Sequence, residues 1–302
     1  MLRRLIVVRG NRNKWEPPLV PACMTTSPNL TLNDGHEIPQ LGYGVWQVED
    51  TVAEDVVGRA FKAGYRHIDT ARIYGNEAGV GRAIAASGLG SDEMFITTKL
   101  WNADQGYDST LRAFDESMER LGLETLDLYL IHWLQPKQGK YLDTWKAFIE
   151  LQKQGRVKSI GVSNFTIEAL TEIIDGTGVV PVINQVETHP YLNQSELRAF
   201  EAEKDILHES WSPLGSGKGL LDDAVLQDIA QKRNATPAQV VLAWHLALGN
   251  VVIPKSVTES RIVENWESLD VTLEDEDIEA INGLDKGPAG RIGADPATSD
   301  FA

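Results

Sequence analysis

Eight short apolar runs, rich in β-branched or aromatic residues, recur along this chain with helix-like segments between them, and that alternation leaves few folds open. The runs centre on Leu41–Val48, His67–Thr70, Phe95–Trp101, Leu126–Trp133, Val157–Asn164, Val182–Glu187, Ile206–Pro213 and Val251–Lys255. Between them apolar residues step at helical spacing, as Leu111, Phe114, Met118 and Leu121 do, and Leu170, Ile173 and Ile174 in part. Thr236-Pro237-Ala238-Gln239 opens another helix with a capping threonine, a proline at the first helical position and a glutamine three residues on. Strands that alternate with helices build parallel sheets. Eight such units in about 230 residues match the count and length of an α/β (β/α)8 TIM barrel. A doubly wound open sheet alternates too, but no Gly-x-Gly-x-x-Gly follows the first strand, which removes that fold's usual means of holding a dinucleotide.

Ahead of the runs, Thr31-Leu32, Asn33-Asp34-Gly35 and Glu37-Ile38 read as a small β-hairpin with a favoured turn. Residues 1–29 read as a disordered N-terminal extension. Arg3, Arg4, Arg9, Arg12 and Lys14 there face one acid, Glu16, and Leu5-Ile6-Val7-Val8 is too short for a signal-peptide core. Residues 30–302 read as one barrel domain ending in an irregular tail after Asp285. A formal net charge of −16 disfavours nucleic acid and anionic membranes as partners, so an anionic ligand needs its own cluster of Lys or Arg. The single cysteine, Cys23, excludes an intramolecular disulfide framework and fits a reducing, cytoplasmic setting. No apolar run approaches the ~20 residues that span a bilayer.

Ionisable groups stand where three consecutive runs end: Asp69 with Tyr74, then Lys99, then His132, each about one strand-plus-helix unit from the last. In a parallel barrel that spacing brings all four to one mouth, the face on which such barrels do chemistry. Carbonyl reduction needs a hydride on carbon and a proton on the developing alkoxide. Tyr74 can supply the proton if its phenol, with an unperturbed pKa of about 10, is drawn toward working pH. Lys99 would do so by stabilising the phenolate, with Asp69 pairing the ammonium and His132 orienting the substrate oxygen. Singly, each has a plain structural reading as an ion pair, a loop cap or a hydrogen-bonded core residue. Their coincidence at one face favours the catalytic one. None of the 6 histidines forms a ligand-spaced pair, so no metal is expected.

The same residues carry a family likeness. His67-Ile68-Asp69-Thr70-Ala71 with Ile73-Tyr74-Gly75-Asn76-Glu77 resembles the signature of the aldo-keto reductases. Leu126-Asp127-Leu128-Tyr129-Leu130-Ile131-His132-Trp133 and Ile253-Pro254-Lys255-Ser256 resemble two further signatures. Leu41-Gly42-Tyr43-Gly44-Val45-Trp46 and Glu209-Ser210-Trp211-Ser212-Pro213-Leu214-Gly215 are similar to bacterial diketogluconate-reductase-like members. The resemblance implies a (β/α)8 barrel, NADPH as cofactor, a small carbonyl substrate, and Tyr74 as acid supported by Asp69, Lys99 and His132. It also implies a soluble monomer. A non-catalytic, NADPH-binding regulatory barrel is the alternative, since regulatory relatives exist, and a phosphosugar isomerase barrel would bind no nucleotide.

Charge alone places the cofactor's 2′-phosphate. A helix starting near Thr258 aims free N–H groups at the loop after the last run, and Lys255, Ser256 and Arg261 add two cations and a hydroxyl. The resemblance adds Val257, Glu264 and Asn265 at this end. It adds Ser163, Asn164 and Gln185 as carboxamide ligands, Trp211 as a stacking face, and Ser212, Leu214 and Gly215 in a loop over the pyrophosphate. Trp46, Trp101 and Trp133 follow three runs and are expected to wall the substrate pocket. Arg72 and Leu134 depart from the family pattern, Arg72 either pointing outward or biasing the site toward anionic substrates.

Overall fold

The computed structural model describes residues 26–301. The expected extension lies outside the described residues as far as residue 25, and the hairpin opens at Asn29. Strands β1 (Asn29–Thr31) and β2 (Glu37–Pro39) pair antiparallel, Leu30 opposite Ile38. A parallel sheet follows: β3 (Tyr43–Gly44), β4 (His67–Asp69), β5 (Phe95–Leu100), β6 (Leu126–Ile131), β7 (Val157–Ser163), β8 (Ile183–Glu187), β9 (Leu207–Trp211) and β10 (Val251–Val252), neighbours in chain order throughout. Helices α1 (Asp50–Ala63), α2 (Glu77–Ser87), α3 (Tyr107–Leu121), α4 (Tyr141–Lys153), α5 (Ile167–Thr177) and α6 (Ser195–Glu203) fill the first six connections. Two helices, α7 (Ala224–Arg233) and α8 (Pro237–Ala247), follow β9, and α9 (Glu259–Trp266) and α10 (Asp275–Asn282) follow β10.

The sheet closes on itself. Leu41 bridges Val252 in parallel, and the Gly42 N–H donates to the Val252 carbonyl at 2.9 Å. Gly42 is required at this closure, because a Cβ would lie 2.5 Å from His67 Nδ1 and 2.9 Å from Ile253. The molecule is thus the (β/α)8 barrel that the alternation predicts. Observed strands are shorter than the apolar runs, because every run but Val182–Glu187 continues past the ladder into the loop at the mouth.

Two apolar layers hold the barrel. Outward residues pack under the helices, where Tyr129 stacks on Phe148 with ring centroids 4.4 Å apart and meets Phe114 edge-on. Leu111 is the least buried of the α3 stripe, while Phe114, Met118 and Leu121 are buried. Inward residues fill the lower barrel: Phe95, Leu128, Leu130, Ile183 and Val251 gather beneath Leu32 and Ile38 of the hairpin, which plugs that end. The Thr236 capping box is present, with both reciprocal bonds formed to Gln239.

Candidate active site

Successive side chains on a strand face opposite sides. His67 and Asp69 of β4, Thr97 and Lys99 of β5, Gln185 of β8 and Glu209 of β9 therefore share the interior above the apolar plug. Lys99 is fully buried; its Nζ donates to Asp69 Oδ1 at 2.5 Å and to the Thr70 carbonyl at 2.8 Å. Asp69 Oδ2 accepts from Gln185 Nε2 at 2.8 Å, and the same amide donates to Glu209 Oε2 at 3.0 Å. A polar chain thus crosses the barrel from β5 to β9.

Tyr74 ends a short 3₁₀ turn, Arg72–Tyr74, after β4, where Gly75 at φ 67° reverses the backbone. Asn76 fixes this turn: it accepts from the Thr70 hydroxyl and donates to the carbonyls of Val45 and Val48 at 2.9 and 2.8 Å. Glu77 ties the next residue down, accepting from Thr98 and Arg120. The Tyr74 ring so placed lies 5.4 Å from Lys99 Nζ and edge-on to His132 at 5.7 Å. Its hydroxyl has no hydrogen-bond partner among the described residues. The structure therefore brings together all four groups that the run ends place at one mouth.

One expectation is corrected. The Tyr74 phenol is not drawn toward neutral pH; burial raises its pKa well above the usual value, and the charges of Asp69 and Glu209 raise it further. Lys99 gives two of its three N–H groups to Asp69 and Thr70, and the third is left free among the described residues, on the Tyr74 side of the pair. Burial, then Lys99, holds His132 well below the usual imidazole range, so its ring is neutral. Burial pushes Asp69 up against the opposing pull of Lys99 and Gln185. Burial and the neighbouring Asp69 raise Glu209 to about 8, and burial lowers His67 to about 3.

Above this layer the mouth is aromatic. Trp101 meets His132 edge-on at 5.5 Å, and Trp133 lies 6.4 Å from Trp211. Trp46 remains 49% exposed and makes no ring contact with them among the described residues. Phe301 of the tail packs on Trp133 at 4.9 Å and Trp101 at 6.1 Å, its carbonyl held by Asn102. Glu187 anchors the tail by accepting the Ile292 and Gly293 N–H groups at 2.6 and 2.8 Å and bonding His189. Burial opposes its charge, but those bonds outweigh it and hold the carboxyl below the usual range. Arg72 is paired with Asp104 at 3.1 Å, so its charge is spent on the chain rather than offered to a substrate. Leu134 is buried in the outer core.

The expected cofactor residues fall in one band along β7 to α9. Ser163 donates to the Gln185 carbonyl, and Asn164, at φ 59°, donates to His132 O and accepts from Trp211 Nε1 at 2.9 Å. Gln185 spends its amide N–H groups downward, leaving its carbonyl oxygen for a ligand. Ser212 accepts from the Gly215 N–H in a turn with both residues at positive φ, and Leu214 is half-buried. Past β10, Ser256 accepts from the Thr258 N–H at 3.1 Å, while α9 begins without a side-chain cap. Lys255 and Arg261 are exposed and carry no ion pair among the described residues; Val257 is exposed. Asn265 is 4% exposed, and its amide makes no hydrogen bond to a described residue. Two unpaired cations, free helix N–H groups and an unengaged amide suit a phosphorylated nucleotide. Glu264, half-buried on α9, shares this edge.

Three contributors escaped the sequence reading. Glu209 stands two places before Trp211, the parity that would have marked it as inward. Glu187 stands two beyond Gln185 by the same rule. Phe301 lies in a tail without periodicity, so nothing local signals it. Among the described residues no group of acidic, His or Cys side chains could hold a metal ion, and no helix is long and apolar enough to cross a membrane.

A model of the Aldo/keto reductase family matches residues 40–286. An aldo-keto reductase of Mycolicibacterium smegmatis is 54% identical over 275 residues, spanning 91% of this chain and 99% of that protein. The methylglyoxal reductase DkgA of Escherichia coli K12 is 48% identical over 268 residues, spanning 88% and 96%. The solved structure of a Gox0644 mutant in complex with NADPH superposes with a TM-score of 0.88 at 50% identity, covering 92% of this chain and all of that one.

Proposed function

This chain belongs to the aldo/keto reductase family, and on that premise we infer that it is an NADPH-dependent oxidoreductase reducing small aldehydes and ketones to alcohols, with Tyr74 as the proton donor. The observation carrying this reading is the unengaged Tyr74 hydroxyl, set beside Lys99 and His132 over a buried ion pair. When bound, NADPH supplies the hydride that reaches the carbonyl carbon. Tyr74 gives its proton to the oxygen as negative charge develops there, and the alkoxide so formed is basic enough to take it even from a phenol of raised pKa. Lys99 stabilises the tyrosinate that results, and Asp69 keeps the ammonium charged and in place. The neutral His132 ring can donate one hydrogen bond to the substrate oxygen without competing as an acid. Lys255, Ser256, Arg261 and Asn265 hold the nucleotide end, Ser163, Asn164 and Gln185 the carboxamide, and Trp211 a face of the ring.

Trp101, Trp133 and Phe301 wall a pocket suited to compact carbonyls. Relatives named for methylglyoxal reduction make 2-oxoaldehydes the first substrates to try, with keto acids and diketo sugars next. Loss of reduced-nicotinamide absorbance with such a panel distinguishes turnover from mere binding. Tyr74→Phe lowers turnover by roughly 10²–10⁴-fold, the usual worth of a general acid, while NADPH binding, followed by fluorescence, is kept. Near-full activity in that variant overturns Tyr74 as the acid.

A further inference from the structure

Glu209 takes no part in the proton transfer, yet it is built into the same network. Its side chain is fully buried in the middle of β9. Oε2 accepts from the Gln185 amide that also serves Asp69, at 3.0 and 2.8 Å. Oε1 is buried with no hydrogen-bond partner and lies 3.8 Å from His67 Nε2. Asp69 and His67 face it from β4, Lys99 from β5 and Gln185 from β8, while β10 brings apolar Val251 alongside. His67 is neutral and bonds Thr97. Lys99 is therefore the lone positive charge in this group, and Asp69 has claimed it.

Two carboxylates around one ammonium, sealed from water, cannot both ionise at equal cost. We propose that Glu209 is a positioning residue that works uncharged: as a carboxylic acid it leaves the Lys99–Asp69 pair balanced beneath Tyr74, and as a carboxylate it competes for Lys99 and turns the local field against the phenol. This rests on Tyr74 as the acid. Burial and Asp69 raise Glu209 to about 8, and its charge in turn raises Tyr74. Reduction then falls on the alkaline side as Glu209 loses its proton, well before the phenol itself titrates.

The test is the pH profile of kcat for aldehyde reduction at saturating NADPH, from about pH 6 to about pH 9.5, in the wild type and in Glu209→Gln. Glutamine keeps the acceptor for Gln185 and cannot ionise. The wild-type profile is expected to descend by about tenfold above a midpoint near 8. The Glu209→Gln profile is expected to stay level within about twofold over the same span, whatever its absolute rate. Profiles of one shape in two folded proteins overturn the inference. Should Glu209→Gln not fold, Glu209→Met serves: a level profile supports the inference and a descending one overturns it. Tyr74→Phe is assayed alongside. Activity in that variant removes the underlying reading, whereas an inactive Tyr74→Phe with unchanged Glu209→Gln profiles removes this inference alone.

Discussion

The lower and upper halves of the barrel interior use the same inward positions for opposite ends. Below, Phe95, Leu128, Ile183 and Val251 fill the space against the hairpin and are held by burial alone. Above, two residues further along β5 and β8, stand Thr97 and Gln185 and, on β4 and β9, Asp69 and Glu209. Burial there works against each charge, and only exact partnering makes it tolerable. A buried ion pair contributes little to stability beside an apolar layer of like volume. Its presence in the upper half marks where the fold gives up stability for chemistry.

Lys99→Met breaks the comparison most severely. It makes the upper layer apolar on one side and strands Asp69 without its cation, which typically costs about 3–5 kcal/mol. Turnover falls at least as far as in Tyr74→Phe. In this variant the Asp69 carboxyl is raised in the folded state above its unfolded value. Folding then binds a proton, so stability is greatest below the ordinary carboxylate range and is lost as pH rises through the raised pKa. Urea unfolding at two pH values checks the sign.

Leu128→Ala tests the lower half. It should cost about 2–5 kcal/mol through the lost burial and the cavity it leaves, yet keep kcat and KM within about twofold. A large kinetic change would show that the two halves are not separable. The smallest effect is expected at the rim. Glu187→Ala frees the tail that carries Phe301, raising KM for a small aldehyde by about three- to tenfold while the unfolding free energy falls by about 1–3 kcal/mol. Because Glu187 is held below the usual carboxylate range, the wild-type anchor persists in mild acid and is lost only as pH falls through that lowered value.

The ends of the apolar runs made most of the upper layer legible, and period-two parity explains why. Asp69 follows His67 by two, Lys99 follows Thr97 and His132 follows Leu130, so one rule reading strand ends finds three of the four groups. Tyr74 lies off the strand, legible from its place just past the Asp69 run end and from the family signature, while the turn that Gly75 and Asn76 fix needed coordinates. Glu209 obeys the same parity but is embedded mid-strand, where a carboxylate looks like an interruption of an apolar run. The direction of the Tyr74 shift was not legible at all, since it depends first on how deeply the ring is buried and then on how near Asp69 and Glu209 lie, a matter of ångströms rather than spacing. Arg72 likewise needed coordinates, its partner Asp104 lying across a loop.

Closure between the first and last barrel strands rests on little ladder: β3 and β10 have two residues each, joined near Leu41 and Val252. Just beyond that seam lie Lys255 and Ser256, and the Tyr43 hydroxyl already donates to the Ser256 carbonyl. A nucleotide phosphate gripped there would stitch this short join in the wall. Amide exchange at Gly42 and Gly44 should therefore slow when the cofactor is added, so that the empty enzyme opens first along the line its ligand later sews shut.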